Sequence, residues 1–272
     1  MTITTVDGIV GALASGADRI LIDKSSLSNV AAGQLASLWQ AGTVPAAGAT
    51  PTTAAVCTSA LSGAISFANQ TGPATSYLDY LWTAAGNANT SVEIHDRLAH
   101  MGGLSGTVTT SQGALSLVTT APAAARLGAT DFSDVQWFLE IYTALGATGV
   151  NATVAVEYND ASTGSLTAIA LGATPRAARL YPLLSASPGK WIRAVTGVTL
   201  SATTGTAGNF GITATRQRTV SDAMLVANVD YPLDWAKLGH PEIPNDACLM
   251  LLMLCSTTTT GAIRGAGKIT HG

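Results

Sequence analysis

Charge is what this chain has least of. Asp, Glu, Lys and Arg together make up 11% of its 272 residues, against roughly a quarter in an ordinary soluble domain. Ala, Thr, Gly and Ser fill positions where a monomer would carry ionised groups. Charge keeps proteins soluble and apart, so so sparsely ionised an exterior is poorly defended against association. The expectation is a subunit whose faces are covered by copies of itself or by partners. Thirteen basic and sixteen acidic residues give a net charge of −3, and the basic ones are scattered. A nucleic-acid module concentrates Lys and Arg on one face, so no nucleic-acid partner is expected. The densest pair, Arg216 and Arg218 in ATRQRT, reads as one solvent-facing or interface-facing edge.

Cysteine is nearly as scarce. Cys57, Cys248 and Cys255 form an odd set without CxxC spacing, which argues against zinc and redox motifs. Cys248 and Cys255 bound the apolar run ACLMLLMLC, where a thiol behaves as a small buried hydrophobe, and a reducing site of synthesis follows. Long hydrophobic runs are missing too. Ala247 to Cys255 is about half the length a spanning helix requires, so no membrane is expected. MTITTVDGIVGAL has no basic stretch and carries Asp7 early, which makes a poor secretion signal. The Asn-x-Ser/Thr matches at Asn69, Asn89 and Asn151 then read as accidents of a Thr-rich composition.

Aromatics amount to 6%. Trp137, Phe138, Tyr142, Trp191 and Trp235 lie in strand-like or helix-like runs and are core candidates. No row of rings suggests a carbohydrate platform. Tyr77, Tyr80, Leu81 and Trp82 cluster at a spacing that suits anchoring a helix to the rest of the fold or to a neighbouring subunit.

What is present points to β structure with a small helical N-terminal part. Ser25, Ser26, Leu27, Ser28 and Asn29 precede VAAGQLASLWQ, whose Ala31, Leu35, Leu38 and Trp39 fall on one helical face, with Gly42 and Pro45 as stops. A mixed region over 1–90 and a β-sandwich domain over 91–272 are expected, as separate units or one continuous domain. HDRLAHMGGLSG reads as a junction or loop. Beyond it come alternating runs: Val135 to Leu145, Val150 to Tyr158, Ser165 to Leu171, Trp191 to Ala202, Asn209 to Val220, Ala223 to Val229 and Ile263 to Thr270. NDASTG, TTGTAGN and STTTTG lie between successive runs and have the residues of tight hairpins. No helix-sized segment intervenes, so parallel crossovers are excluded. The result is an antiparallel β-sandwich or jelly roll. ACLMLLMLC, apolar throughout, suits a central strand covered on both faces.

Catalytic constellations are weak. His95 and His100 are five apart, about 140° around a helix, and the H-E-x-x-H pair is absent. His95, Asp96 and His100, with Glu93, would have to gather on a loop to hold a metal. GGLSG, Gly102 to Gly106, fails the nucleophile-elbow spacing because Gly106 follows Ser105 directly. Asp131, Asp134 and Glu140 offer carboxylates for glycoside hydrolysis only in the sense that any chain with sixteen acids does. Gly265-Ala266-Gly267 reads as a bulge or close backbone contact rather than a phosphate cradle. No catalytic, cofactor-binding or metal residue is assigned, and no enzymatic activity is expected.

HDRLAHMGGLSGTV, LSATTGTAGNFGITATRQRTV and PEIPNDACLMLLMLCSTTTTGAIRGAGKITHG resemble uncharacterised structural proteins of tailed bacteriophages, across most of the chain. The resemblance implies a virion component made in the bacterial host cytoplasm: a capsid decoration or head protein, with tail, collar or fibre-anchoring subunits and a carbohydrate-binding host-attachment module as alternatives. Its partners would be copies of itself and other virion proteins, including a major capsid protein. Met1 to Ala17 and the DWAKLGHPEIP loop are candidate interface segments.

Overall fold

The computed structural model describes residues 2–28, 30–173 and 177–272. Among them three sheets form, and every strand pairing is antiparallel. The largest has seven strands in the order β12 (Leu180–Leu183), β8 (Gln136–Thr143), β14 (Asn209–Val220), β6 (Ser91–Leu104), β17 (Leu249–Leu254) and β2 (Leu35–Ser37), with β4 (Ala55–Val56) also on β6. A six-stranded sheet runs β15 (Tyr231–Asp234), β5 (Ser76–Ala85), β18 (Ile263–His271), β1 (Asp18–Lys24) and β3 (Thr43–Val44), with β16 (Glu242–Ile243) on β5. A five-stranded sheet runs β10 (Thr163–Ser165), β9 (Val150–Tyr158), β13 (Ile192–Leu200) and β7 (Leu115–Ser116), with β11 (Ile169–Gly172) on β9. The helices are short: α1 (Val6–Ser15), α2 (Ala124–Leu127) and α3 (Trp235–Leu238).

Directly opposed residues in a sheet share a face, so the register assigns the two faces of the large sheet. Leu139 opposes Ile212, Trp137 opposes Ala214, and Ile94 opposes Leu251. At one end of this face Trp137, Leu139, Ile141 and Ile212 pack with Val154, Val156, Val195 and Val198 of the five-stranded sheet. At the other end Val92, Ile94, Leu249 and Leu251 pack with Ile20, Ile22, Leu78 and Ile269 of the six-stranded sheet. The opposite face, with Phe138, Tyr142, Met250 and Leu252, is closed by Trp39, Cys57 and Ala64 from the segment between β2 and β5. The expected antiparallel sandwich is therefore present. Strands from both sides of residue 90 share sheets, as in β1 with β18 and β2 with β17.

Several local expectations are corrected. VAAGQLASLWQ is not a helix. Gly33 takes φ +73°, Leu35–Ser37 forms β2, and the Gly33 and Cys255 amides bond across to Cys255 and Gln34 carbonyls at 2.7 and 3.0 Å. An edge on β17 outweighs the helical spacing, a tertiary override of propensity. Of the cap candidates, Asn29 lies outside the described residues. The N-terminal helix is α1, capped by the Thr5 hydroxyl accepting from the Gly8 amide at 3.1 Å, with Asp7 in its first turn. Tyr77, Tyr80, Leu81 and Trp82 lie on strand β5 rather than a helix.

The expected junction HDRLAHMGGLSG is mostly the fourteen-residue strand β6. Ala223 to Val229 makes no strand, only an isolated bridge from Met224 to Thr90. NDASTG does close a hairpin, β9 with β10. TTGTAGN and STTTTG instead carry the chain between sheets, from β13 to β14 and from β17 to β18. Arg216 and Arg218 stand on β14, which is interior, not on an edge. Trp137, Phe138 and Tyr142 are buried as expected, but Trp191 is 41% exposed.

Candidate functional site

Strand β6 carries His95, Asp96, Arg97 and His100, all buried. Burying charge costs several kcal/mol per ion unless each is paired and hydrogen-bonded, so their partners decide what this strand does. Alternation sends Arg97 to the face covered by Trp39 and Asp96 to the opposite face, and the register shift between Ala99 and Arg97 brings His100 onto the Arg97 face.

On the first face the Arg97 guanidinium is fully engaged. Its Nη2 is 2.7 Å from Glu140 Oε2 and donates to Tyr142 Oη at 2.7 Å and Thr213 Oγ1 at 3.2 Å. Its Nε donates to His100 Nδ1 at 3.0 Å, and the group lies 4.6 Å from the Trp39 ring centroid. Tyr142 Oη donates onward to Glu140 at 3.1 Å, and Thr213 donates to the same carboxylate. Burial pushes the Glu140 carboxyl up, but the Arg97 charge and the bonds from Arg97, Thr213 and Ser37 hold it below its usual value. Burial, opposed by Arg97, raises the Tyr142 phenol. This is a closed network with every charge matched.

On the second face Asp96 accepts from Arg126 Nε and Nη2 at 3.0 and 2.6 Å, from Arg218 Nη2 at 3.2 Å, and from the Cys248 amide at 2.9 Å. Arg126, delivered by α2, also donates to the Cys57 and Arg97 carbonyls at 2.6 and 3.0 Å. Burial, with the neighbouring Arg216 and Arg126 charges, lowers the Arg218 pKa against the pull of Asp96. Arg216 pairs outward with Asp134 at 3.4 Å.

The histidine group considered for a metal therefore does not gather. His95 bonds Thr215 at 3.0 Å and Glu93 at 2.7 Å, Asp96 is consumed by guanidiniums, and His100 is held by Arg97. Among the described residues no group of three or more His, Cys, Asp or Glu is arranged to hold a metal ion. The three carboxylates sit in separate settings: Glu140 is buried with Arg97, Asp134 pairs with Arg216, and Asp131 takes the Ser133 amide at 3.0 Å. Ser105 bonds Thr107 at 2.9 Å in a turn. Gly265 and Gly267 are the expected close contacts, since a Cβ on either would meet the Trp82 or Tyr80 carbonyl oxygen at 2.3 or 2.7 Å.

Two histidine constellations escaped the sequence. His240 bonds Asp79, which also takes the Thr270 hydroxyl, and stacks on Tyr77 at 4.0 Å. Ser76 Oγ meets His271 Nδ1 at 3.0 Å, and His271 Nε2 is 3.1 Å from Asp18. That order of hydroxyl, imidazole and carboxylate is the one acyl-transfer enzymes use. Ser76, however, is a strand residue at 1% exposure, with no room for an acyl group at its oxygen. The contacts that build these sets join residues 161 to 253 positions apart, so no local spacing could announce them.

The surface offers a recess of about 690 Å³, lined by Leu35, Glu93, Trp137, Pro182, Leu184, Trp191 and Gln217 among others. Leu184 is 75% exposed at this recess. Val6 and Val10 of α1 are also bare, as are Leu225, Val226 and Val229. Among the described residues no helix is long and apolar enough to cross a membrane.

No family model matches the chain, and no curated protein matches it. Among solved structures it is similar to that of the Gx strain of infectious bursal disease virus, at 8% identity and a TM-score of 0.20, covering 94% of this chain and 81% of that one. The structure of the Gt strain gives 9%, 0.16, 94% and 82%, and the VP2 subviral particle of the same virus gives 9%, 0.16, 94% and 81%. Likenesses this slight carry no argument about what this chain does.

Proposed function

We propose that this chain is a structural subunit of a bacteriophage particle, a capsid decoration or head protein that works by contact with copies of itself and with a major capsid protein. The observation that carries the reading is an exterior with little charge and bare apolar side chains, Leu184, Val10 and Val226 among them. Apolar area removed from water returns about 25 cal/mol per Å², and many symmetric copies sum modest contacts into a stable shell. The buried Arg97–Glu140 network serves rigidity, since its two charges are satisfied internally. On this reading the protein is not an enzyme, and it acts in the virion.

Immunogold labelling of particles purified from the bacterial host tests it. Label on heads supports the proposal, label on tails or collars transfers it to the tail or fibre-anchoring alternative, and particles without the chain overturn it. A host-attachment role is favoured by one feature, the recess that joins exposed Trp191 to Glu93 and Gln217, an aromatic face beside planar hydrogen-bonding groups. Binding on a glycan array that is lost in Trp191→Ala would support that second reading.

A further inference from the structure

Cys57 and Cys248 meet at a break along one edge of β6. Going along that edge, β4 pairs with His100 and Ala99, and the Cys57 amide then donates to the Leu98 carbonyl at 3.1 Å. Next, the Arg97 amide donates to the Cys248 carbonyl at 2.8 Å, and β17 continues from Asp96 onward. The two cysteines are therefore successive partners of one strand, although they come from opposite ends of the sequence. Both are free and buried, in the same apolar cluster, and each thiol shifts the ionisation of the other.

Their surroundings are unequal. Burial pushes the Cys57 thiol up, but the adjacent Cys248 and His100 side chains and the Arg97 charge outweigh it and bring the group well down. Cys248, beside Cys57 and buried, is pushed up. The thiolate is the reactive form of cysteine, and an activated thiol beside one that keeps its proton is an attacking and resolving pair.

We propose that Cys57 and Cys248 form an oxidation site that closes to a disulfide when the protein meets hydrogen peroxide. The Cys57 thiolate attacks one peroxide oxygen, the O–O bond breaks, and Cys57 sulfenic acid and hydroxide result. The Cys248 sulfur then attacks the sulfenic sulfur; the S–S bond forms, and the sulfenic oxygen leaves as water with the Cys248 proton. Two thiols give up two electrons, and the peroxide takes them. Entry is through β4, whose two residues hold the edge by so few bonds that local opening exposes Cys57 without unfolding the sheet. The product ties the segment that carries Cys57 to the central strand β17. Cys255 is the internal control: burial pushes its thiol up to about 11, so it stays reduced. The inference is independent of the virion reading.

The test is intact-mass and non-reducing peptide mapping of the purified full chain after mild peroxide treatment. The expected result is a loss of about 2 Da, one remaining titratable thiol, and a single cross-linked peptide joining Cys57 to Cys248. The cross-link should raise Tm by about 4–7 °C, reversibly with dithiothreitol. Cys57→Ala and Cys248→Ala should each abolish the 2 Da loss, and Cys255→Ala should leave it intact. Since the map on the unaltered chain stands alone, poor folding of a variant does not blunt the test. Three thiols surviving treatment, oxygen added at Cys57 without a cross-link, or a bridge through Cys255 would overturn the proposal.

Discussion

Replacing Glu140 by Gln removes one charge from a site where Arg97 cannot reach water. Arg97 and Glu140 are 0% and 1% exposed at the side chain and 2.7 Å apart. Breaking such a pair from one side costs about 3–5 kcal/mol, because the remaining ion stays buried and uncompensated. A chain of this size unfolds with an entropy of about 0.6 kcal/mol/K, so Tm should fall by about 5–9 °C. Scanning calorimetry with urea melts at pH 7 measures this. The acid limb gives a second, signed readout. The folded-state pKa of Glu140 is lowered, so its contribution is complete above the unfolded value of about 4.3 and is lost as pH falls through the folded value. Below pH ~4 the parent should therefore lose stability more steeply than Glu140→Gln, and the two curves should converge. The double variant Arg97→Met, Glu140→Leu, which removes both ions, should recover most of the loss. Asp131→Asn at an exposed turn is the neutral control. A Glu140→Gln protein that melts within a degree of the parent would refute the closed-network reasoning.

Gly211→Ala should be severely destabilising or fail to fold, because its Cβ would sit 1.8 Å from the Met101 carbonyl oxygen; Gly11→Ala in α1, with nothing within 4 Å, should gain up to about 1 kcal/mol in urea melts. Lys24, whose Nζ donates to the Ala41 and Pro45 carbonyls at 2.9 and 2.8 Å, has its pKa lowered to about 8 by burial. The folded state then binds fewer protons than the unfolded one, so stability should rise between pH 8 and about 10.4, and Lys24→Met should flatten that rise in urea melts. Leu184→Glu, at the open recess, should leave Tm within about a degree while weakening self-association in sedimentation velocity; a matched fall in Tm would mean that Leu184 belongs to the core.

The strands that alternate were legible. VNATVAVEY reads as half-buried, and β9 buries Val150, Ala152, Val154, Val156 and Tyr158 while Asn151 and Thr153 face out. ACLMLLMLC reads as covered on both faces, and β17 is, with Leu249 and Leu251 in one cluster and Met250 and Leu252 in another. β6 was illegible for the opposite reason. Its His, Asp and Arg look like a solvated loop until their partners arrive from Arg126, Glu140 and Thr213, all distant in sequence. Turn chemistry fared similarly. Asn159 to Gly164 and Ser256 to Gly261 carry like residues, yet only the first closes a hairpin, because whether a chain returns to its own sheet or crosses to the next is decided by which core its strands fill. The helix expected over VAAGQLASLWQ failed on the same ground, since Leu35 to Ser37 had an open edge of β17 to fill.

Light scattering coupled to size-exclusion chromatography, run across a hundredfold concentration range at physiological salt, addresses the exterior itself. Neighbours are expected on the bare Leu184, Val10 and Val226 surfaces, so mass should climb with concentration to a defined multiple of the 27.4 kDa chain. A single 27.4 kDa species at every concentration, unchanged when phage capsids are added, would contradict the account.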